Sequence, residues 1–315
     1  MTRNFGLPLI LIAVLAACTG GSGSLGTLPP AETAQPSVVL GSPDVTPGTS
    51  PDNSESPSPS EGPSASPAGT TIVRAYFFLA GPQGSAGIVP VLREIPATTG
   101  VAKAAMTALL AGPNGKEAAA TPGISTTIPA GTQLLGLSIN NGVATVDLSR
   151  EFESGGGSAS VLGRLGQVVY TLTQFPSVKS VLFEVEGREV HAFGGEGAVL
   201  DGPVGRSDYG EVLPNIFVDR PAWGAALGNP GRVSGNANVF EATFRITLLD
   251  GSGKQLVDQQ AMATCGTGCR GTFDVTIRYD VPKAQWGTLR VWDGSAKDGS
   301  PQDVREYPVW LTPAN

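Results

Sequence analysis

Histidine is almost missing from this chain: His191 is the only one among 315 residues. General-base chemistry most often uses an imidazole, and no sequence pattern supplies His191 with a catalytic partner. Cysteine is limited to three, Cys18, Cys265 and Cys269. Charged residues make up only 15%, so polar Gly, Ser and Thr must supply much of the surface. Basic charge is scarcest where the chain is most polar: Thr19 to Thr70 contains Glu32, Asp44, Asp52, Glu55 and Glu61 but no Lys or Arg. From residue 71 onward, 19 Lys and Arg face 22 Asp and Glu. That balance leaves no basic footprint, which argues against a nucleic-acid partner. The first apolar run, Leu7 to Ala17, is also too short to span a bilayer comfortably, since a spanning helix needs about 20 residues.

What that run does have is context. Arg3 precedes it, and Leu15-Ala16-Ala17-Cys18 ends it. A charged start, a short apolar core and small residues at a cut site describe a secretory signal. A cysteine directly after the small residues resembles the lipobox of bacterial lipoproteins. The resemblance implies a signal peptide over 1–17, diacylglycerol on the Cys18 thiol, cleavage before it and acylation of the new amino terminus. The expected location is extracytoplasmic, on the outer face of the cytoplasmic membrane, where each buried methylene adds about 0.8 kcal/mol of anchoring.

Once Cys18 carries lipid, Cys265 and Cys269 form an even pair in an oxidising compartment. The segment Cys265-Gly-Thr-Gly-Cys269 places two thiols around a flexible tip, and a structural disulfide is the expected state. Free thiols and a redox or metal site are the alternatives. Two sulfurs without a nearby His or further Cys cannot complete a zinc shell, so neither a metal nor a cofactor is expected.

Residues 18–70 are dominated by Ser, Thr, Pro and Gly, including Ser56-Pro57-Ser58-Pro59-Ser60, and hold little to bury beyond Val38-Val39-Leu40. Such a composition cannot offset ordering entropy and reads as a tether with a reach on the order of 40 Å. Strand patterns then appear at Ile72–Phe78 and Ile88–Ile95. A helical spacing follows over Val101–Leu110 and stops at Gly112-Pro113. Leu135, Leu137 and Ile139 alternate, Asn141-Gly142 turns, and Ala144, Val146 and Leu148 alternate again, the pattern of a hairpin. Val161, Leu165, Val168, Leu172 and Phe175 draw one apolar stripe of a second helix, with Ser158 as its expected cap. Strands are predicted at Val181–Val185 and Glu189–Phe193. Together these elements predict an α+β domain over 71–200, with helices on a small mixed sheet.

A glycine-rich stretch, 201–214, is the expected connector. Beyond it, Phe240, Ala242, Phe244, Ile246 and Leu248 alternate with polar residues, as do Phe273 to Tyr279, Leu289 with Val291, and Tyr307 to Leu311. Short strands and no credible helix predict an all-β sandwich over 215–315.

Candidate chemistry is sparse. Gly155-Gly156-Gly157-Ser158 does not fit a nucleophile elbow. Asp293, Asp298 and Asp303 are spaced too widely for a calcium loop and read as turn formers. Asp147 with Arg150, and Arg93 with Glu94, read as surface pairs or caps. All four tryptophans, Trp223, Trp286, Trp292 and Trp310, fall in the second half. Trp292 and Trp310 are out of phase with Val291 and Val309 and are candidate glycan contacts on the outer face, with aromatic core filling at a sheet edge as the favoured alternative. No catalytic residue is assigned.

Several motifs now carry a family resemblance. Ile88-Val89-Pro90-Val91-Leu92-Arg93-Glu94-Ile95-Pro96, Ala108–Pro113, Ile128-Pro129-Ala130-Gly131-Thr132, Ala144–Phe152 and Val169–Val178 resemble, in order, the GerMN domain of sporulation and germination lipoproteins. Val233–Ala237, Val239–Ala242 and Ser295–Ser300 resemble the immunoglobulin-like domain that accompanies it. The resemblance implies a non-catalytic protein, germination-type or sensor-associated, that binds or scaffolds an envelope protein, or itself, at the membrane. The alternative is a cell-wall glycan binder that contacts peptidoglycan through the sandwich.

Overall fold

In the computed structural model, residues 69–81, 86–193 and 198–314 are described. The signal, Cys18 and the tether expected from the sequence lie outside them. The first half opens with two long antiparallel strands, β1 (Thr70–Ala80) and β2 (Ala86–Pro96), paired along their full length. Helices α1 (Val101–Leu110) and α2 (Gly115–Ala119) follow, then a two-residue strand, β3 (Ile124–Ser125), which pairs with the far end of β1. A hairpin comes next, β4 (Leu134–Asn140) and β5 (Val143–Leu148), with Asn141 and Gly142 both at positive φ. That is the left-handed geometry an Asn-Gly hairpin turn supplies. Helix α3 (Ser158–Leu172) then crosses over to β6 (Ser180–Val185), which lies parallel to β5. A short β7 (Arg188–Glu189) closes a mixed sheet of order β4-β5-β6-β7.

The α+β expectation holds, with a difference in layout: β2-β1-β3 forms a separate antiparallel sheet rather than joining the mixed one. The reason lies in α3. Its apolar stripe is present, but Gly163 to Leu172 are all buried, so the helix is enclosed on nearly every side. On one flank of the stripe, Gln167 and Thr171 are buried and Gln174 follows just past the helix end. These side chains pair with the edge of β1 that faces away from β2. Gln174 accepts from the Arg74 N–H (2.8 Å) and donates to the Arg74 carbonyl (2.7 Å). Thr171 accepts from the Tyr76 N–H, and Gln167 donates to the Tyr76 carbonyl at 2.8 Å. The Gln167 amide oxygen also accepts from the Thr127 N–H at 3.0 Å. Because Gln167, Thr171 and Gln174 are spaced by four and three residues, they share one line along the helix and take the place of a neighbouring strand.

Arg164 is a second buried polar anchor. It is 1% exposed, and its guanidinium donates to the carbonyls of Phe152 (2.5 Å), Ser154 (3.0 Å) and Gly155 (2.7 Å). The helix N-cap is Gly157, with no side-chain cap. Ser158 therefore stands as the first helical residue and not as the expected cap.

The second half is a two-sheet sandwich. One sheet has the order β13-β10-β8, from β8 (Ile216–Arg220), β10 (Gly231–Ala237) and β13 (Gly271–Ile277). The other runs β12-β11-β14-β15-β9, from β9 (Ala226–Leu227), β11 (Thr243–Leu249), β12 (Gln255–Met262), β14 (Gln285–Gly294) and β15 (Pro301–Leu311). Phe244, Ile246, Leu248, Phe273, Leu289, Val291, Tyr307, Val309 and Leu311 fill the space between them. Phe240 and Ala242 do not extend the β11 alternation. They sit in a one-turn helix ahead of the strand, where Phe240 is 54% exposed.

The halves share one apolar core. Pro90 has no N–H, and its carbonyl accepts from the Trp223 N–H at 2.9 Å, so the second half covers the outer edge of β2. Tyr76 donates its hydroxyl to Asp219 at 2.8 Å, and Gly87 approaches Pro214 so closely that a Cβ would lie 2.5 Å from its nitrogen. The stretch between the halves is packed, with Tyr209, Val212 and Leu213 buried.

Gln167→Leu keeps the volume but leaves the Tyr76 carbonyl and the Thr127 N–H without their side-chain partner. At about 1–3 kcal/mol per buried orphan group, a loss of roughly 2–5 kcal/mol is expected in urea unfolding. A loss below about 0.5 kcal/mol would show that water replaces the side chain.

Candidate functional site

The outer face of the five-stranded sheet carries Trp286, Thr288, Arg290 and Trp292 of β14, opposite the buried Gly287, Leu289 and Val291. Trp292 is half-buried and fixed. Its indole N–H donates to Thr247 Oγ1 at 3.2 Å, and Arg245 lies over its ring at 5.7 Å. Arg245 is itself held by Asp258 through two contacts of 2.9 and 2.7 Å. Its guanidinium is pushed up by that hydrogen bond.

These residues floor a groove of about 550 Å³ at one end of the sheet. Phe240 and Glu241 form one wall, and Gly294, Ala296 and Gly299 form the other. Asp293, whose carboxyl is raised by burial and by the nearby Asp303, completes the lining.

Trp310 belongs to a different place. It pairs across the sheet with Trp286, ring centroids 5.3 Å apart and nearly perpendicular. Trp286 is six residues from Trp292 along β14, about 20 Å at the rise of a strand. The two tryptophans singled out together by the sequence therefore do not share one binding surface.

Cys265 and Cys269 are brought to bridging distance, with Cα atoms 5.9 Å apart, within the range a disulfide spans. Their loop packs on the turn that carries Phe240. Thr267 N–H donates to the Val239 carbonyl, and the Glu241 N–H donates to Thr267 Oγ1, both at 3.0 Å. Gly266 sits so close that a Cβ would lie 2.4 Å from Ala242 N. In the turn, Glu241 and Ala242 adopt φ of 54° and 58°, a left-handed conformation that side chains other than Gly seldom take.

The remaining candidates resolve into structural roles. His191 follows β7 rather than lying in a strand, is largely exposed, and sits 4.0 Å from Glu189. Asp147 accepts from the Gly187 N–H at 2.9 Å and fixes the turn after β6. Arg150 makes a solvent-exposed contact with Glu151 at 3.8 Å. Arg93 pairs not with its neighbour Glu94 but with Glu117 through two 2.7 Å hydrogen bonds. Asp298 closes its own turn by accepting from Ser300, and Asp303 accepts from Asn215 at 2.7 Å. Among the described residues, no three His, Cys, Asp or Glu side chains are grouped to hold a metal. Also among them, no helix is long and apolar enough to cross a membrane.

Sequence reasoning did not find the set Phe240, Arg245, Asp258 and Gln260, because β12 and the β11 entry turn are distant in sequence from Trp292. The available signal was register: Arg245 stands opposite both Trp292 and Gln260.

The architecture defines an α+β domain packed on an immunoglobulin-like sandwich. Residues 74–191 match the family model Germane, described as "Sporulation and spore germination". Residues 215–300 match Gmad2, the "Immunoglobulin-like domain of bacterial spore germination". The chain thus carries a GerMN-type domain followed by the germination-type immunoglobulin-like domain.

Among solved structures, it is similar to a lipoprotein candidate from Clostridium perfringens, at 22% identity over 47% of this chain and 95% of that one, TM-score 0.32. It is likewise similar to the first GerMN domain of the sporulation protein GerM from Bacillus subtilis, at 23% identity over 43% and 99%, TM-score 0.34. With the tandem GerMN domains of GerM it shares 18% identity over 66% of this chain and 62% of that one, TM-score 0.35. No curated protein matches the chain.

A bridge closing so short a loop contributes about 2 kcal/mol. Reduction of the air-oxidised full chain is therefore expected to lower its stability by about that amount. The Cys265→Ser/Cys269→Ser variant should start lower and ignore the reductant. Equal response of both proteins to reductant would remove the disulfide from the account.

Proposed function

We propose that this chain is a non-catalytic, lipid-anchored protein of the cell envelope that binds a partner protein through its GerMN-type domain. The observation that carries the reading is the order of the two matched domains, both of sporulation or germination families, behind an amino-terminal lipobox pattern. In this reading residues 1–17 are the signal, Cys18 carries the acyl chains, and the polar stretch to residue 70 lifts the folded part off the bilayer.

The packing supports a binding role in which orientation matters. Trp223 on Pro90 and Tyr76 on Asp219 fix the two domains against each other, so a partner meets a composite surface of set geometry. One edge suits such a contact. β4 ends its sheet with no outer strand among the described residues, and Leu135 (48%) and Ile139 (37%) are exposed along it. An edge of unpaired backbone flanked by apolar side chains is what strand addition uses. A second copy of this chain and a different envelope protein are both admissible there.

Two experiments check this. Cys18→Ser should abolish incorporation of labelled palmitate and move the protein out of the membrane fraction; unchanged labelling would remove the anchor. In-cell crosslinking of the tagged full chain should enrich an envelope protein, or dimers of the chain itself. Leu135→Lys should reduce that yield at least about fivefold, the scale of a lost interface anchor. An undiminished yield with Leu135→Lys would dismiss the β4 edge, and enrichment of no protein at all would dismiss the scaffold reading.

A further inference from the structure

We propose that the groove between the Phe240 turn and the Gly294–Gly299 loop is a binding site for a neutral saccharide. It stands independently of the partner-binding reading and uses the opposite end of the molecule's chemistry, a sheet face instead of a sheet edge.

Volume comes first. About 550 Å³ lies within the range of small-ligand sites, roughly 300–1,000 Å³. The lining is mixed, as a sugar requires: apolar surface for the ring C–H face and planar polar groups for the hydroxyls. Phe240, 54% exposed, offers the accessible aromatic face. Trp292 is already engaged by Arg245 and Thr247 and serves as floor. The Arg245–Asp258 pair is held by two short contacts, so its remaining donors and acceptors are presented in fixed directions. Gln260 lines the same groove, and its side-chain amide makes no hydrogen bond among the described residues. An amide with both donor and acceptor available is suited to a pair of adjacent hydroxyls.

Charge then narrows the ligand. Glu241, Asp258 and Asp293 face the groove against Arg245 alone. That excess of carboxylates disfavours phosphate-bearing or uronate polymers. The exposed Phe240 ring and the open Gln260 amide favour an uncharged pyranose over a cationic peptide, which the test includes as the competing outcome.

The wall is also built, at a cost. Phe240 is presented by a turn with two consecutive non-glycine residues in the left-handed region, a conformation that side chains other than Gly seldom take. It persists because the Cys265–Cys269 loop hydrogen-bonds to it and packs Gly266 against it. Backbone strain so supported marks a surface whose shape is being maintained.

The test titrates the full chain in detergent with N-acetylglucosamine tetramer, cellotetraose, poly(glycerol phosphate) and tetralysine, following tryptophan fluorescence and heat. At least one neutral tetramer should saturate, and the phosphate polymer should not. Phe240→Ala, placed outside the strands on an exposed residue, should weaken that binding about tenfold, equivalent to about 1.4 kcal/mol. Gln260→Ala should weaken it about threefold, whereas Trp310→Ala should leave it unchanged. No binding of either neutral tetramer at about 10 mM would overturn the proposal. So would binding of tetralysine alone, or equal binding by Phe240→Ala and the wild type. Crosslinking of the envelope partner should be the same in Phe240→Ala and the wild type, which keeps this site separate from the β4 edge.

Discussion

The pairing of α3 with the edge of β1 is the constraint on which the rest of the fold depends. A strand edge buried inside a protein must have its N–H and C=O groups satisfied, because each orphan costs on the order of 1–3 kcal/mol. Here the solution is a helix. Gln174 closes a two-way amide contact on Arg74, Thr171 takes the Tyr76 N–H, and Gln167 bridges Tyr76 to Thr127. A strand in that position would have continued the sheet. The side-chain ladder ends it and so divides the first domain into two sheets with α3 between them. Small residues make the approach possible: a Cβ on Gly163 would lie 2.8 Å from Thr127 Oγ1 and 3.0 Å from the Phe78 ring.

The opposite edge of the same hairpin is managed with equal economy. Pro90 withdraws one donor from the outer edge of β2, the position where a proline in a sheet is tolerated. Its carbonyl is then answered by Trp223. Next to it, Arg206 stacks over the rings of Tyr76 and Tyr170, at 5.6 and 4.6 Å, and donates to Thr173 at 2.8 Å. Tyr76 thus joins three parts of the chain: its backbone to α3, its hydroxyl to Asp219 and its ring to Arg206. Its phenol is raised chiefly by burial, with Asp219 adding to the effect, so it stays a neutral donor. A hairpin capped by a helix on one side and by another domain on the other cannot shift register without breaking both contacts. The relative placement of the two domains is therefore a property of the core.

What the sequence made legible was periodicity. Alternation located β1, β2, the Asn141-Gly142 hairpin and most of the sandwich, and the Val161-to-Leu172 stripe located α3, because one-sided burial writes itself into spacing. What it hid was burial on a second side. Gln167 and Thr171 look like the solvent face of an amphipathic helix, and Arg164 looks like a surface cation, since polar residues are exposed in most contexts. Their burial follows from partners 90 or so residues away on β1, or on the loop before the helix, and no local window contains those. Phe240 failed in the other direction. It fits the β11 alternation, yet the left-handed Glu241 and Ala242 turn the chain before the strand begins and leave its ring in solvent. The site was legible only in part for the same reason. Trp292 could be assigned to the outer face from phase alone, whereas its separation from Trp310 required the cross-strand pairing with Trp286.

The positions of the two candidate surfaces follow from where the core constraint is absent. Everything buried between α3, the β1–β2 hairpin and Trp223 is occupied by structural pairing, and Arg93, Asp147 and Arg164 are each committed to holding a helix or a turn. Such groups cannot change partners without loss of the fold. The β4 edge and the Phe240 groove lie at the ends of their respective sheets, where backbone and side chains still have unused hydrogen-bonding capacity. Binding energy gained there need not be traded against packing, and substitutions there can alter recognition while leaving stability nearly intact. The centre is rigid, and the two candidate recognition surfaces are displaced to one sheet edge and one sheet end. The packed pair of domains therefore presents each surface in a fixed orientation, because Trp223 on Pro90 and Tyr76 on Asp219 would have to break before it could rearrange.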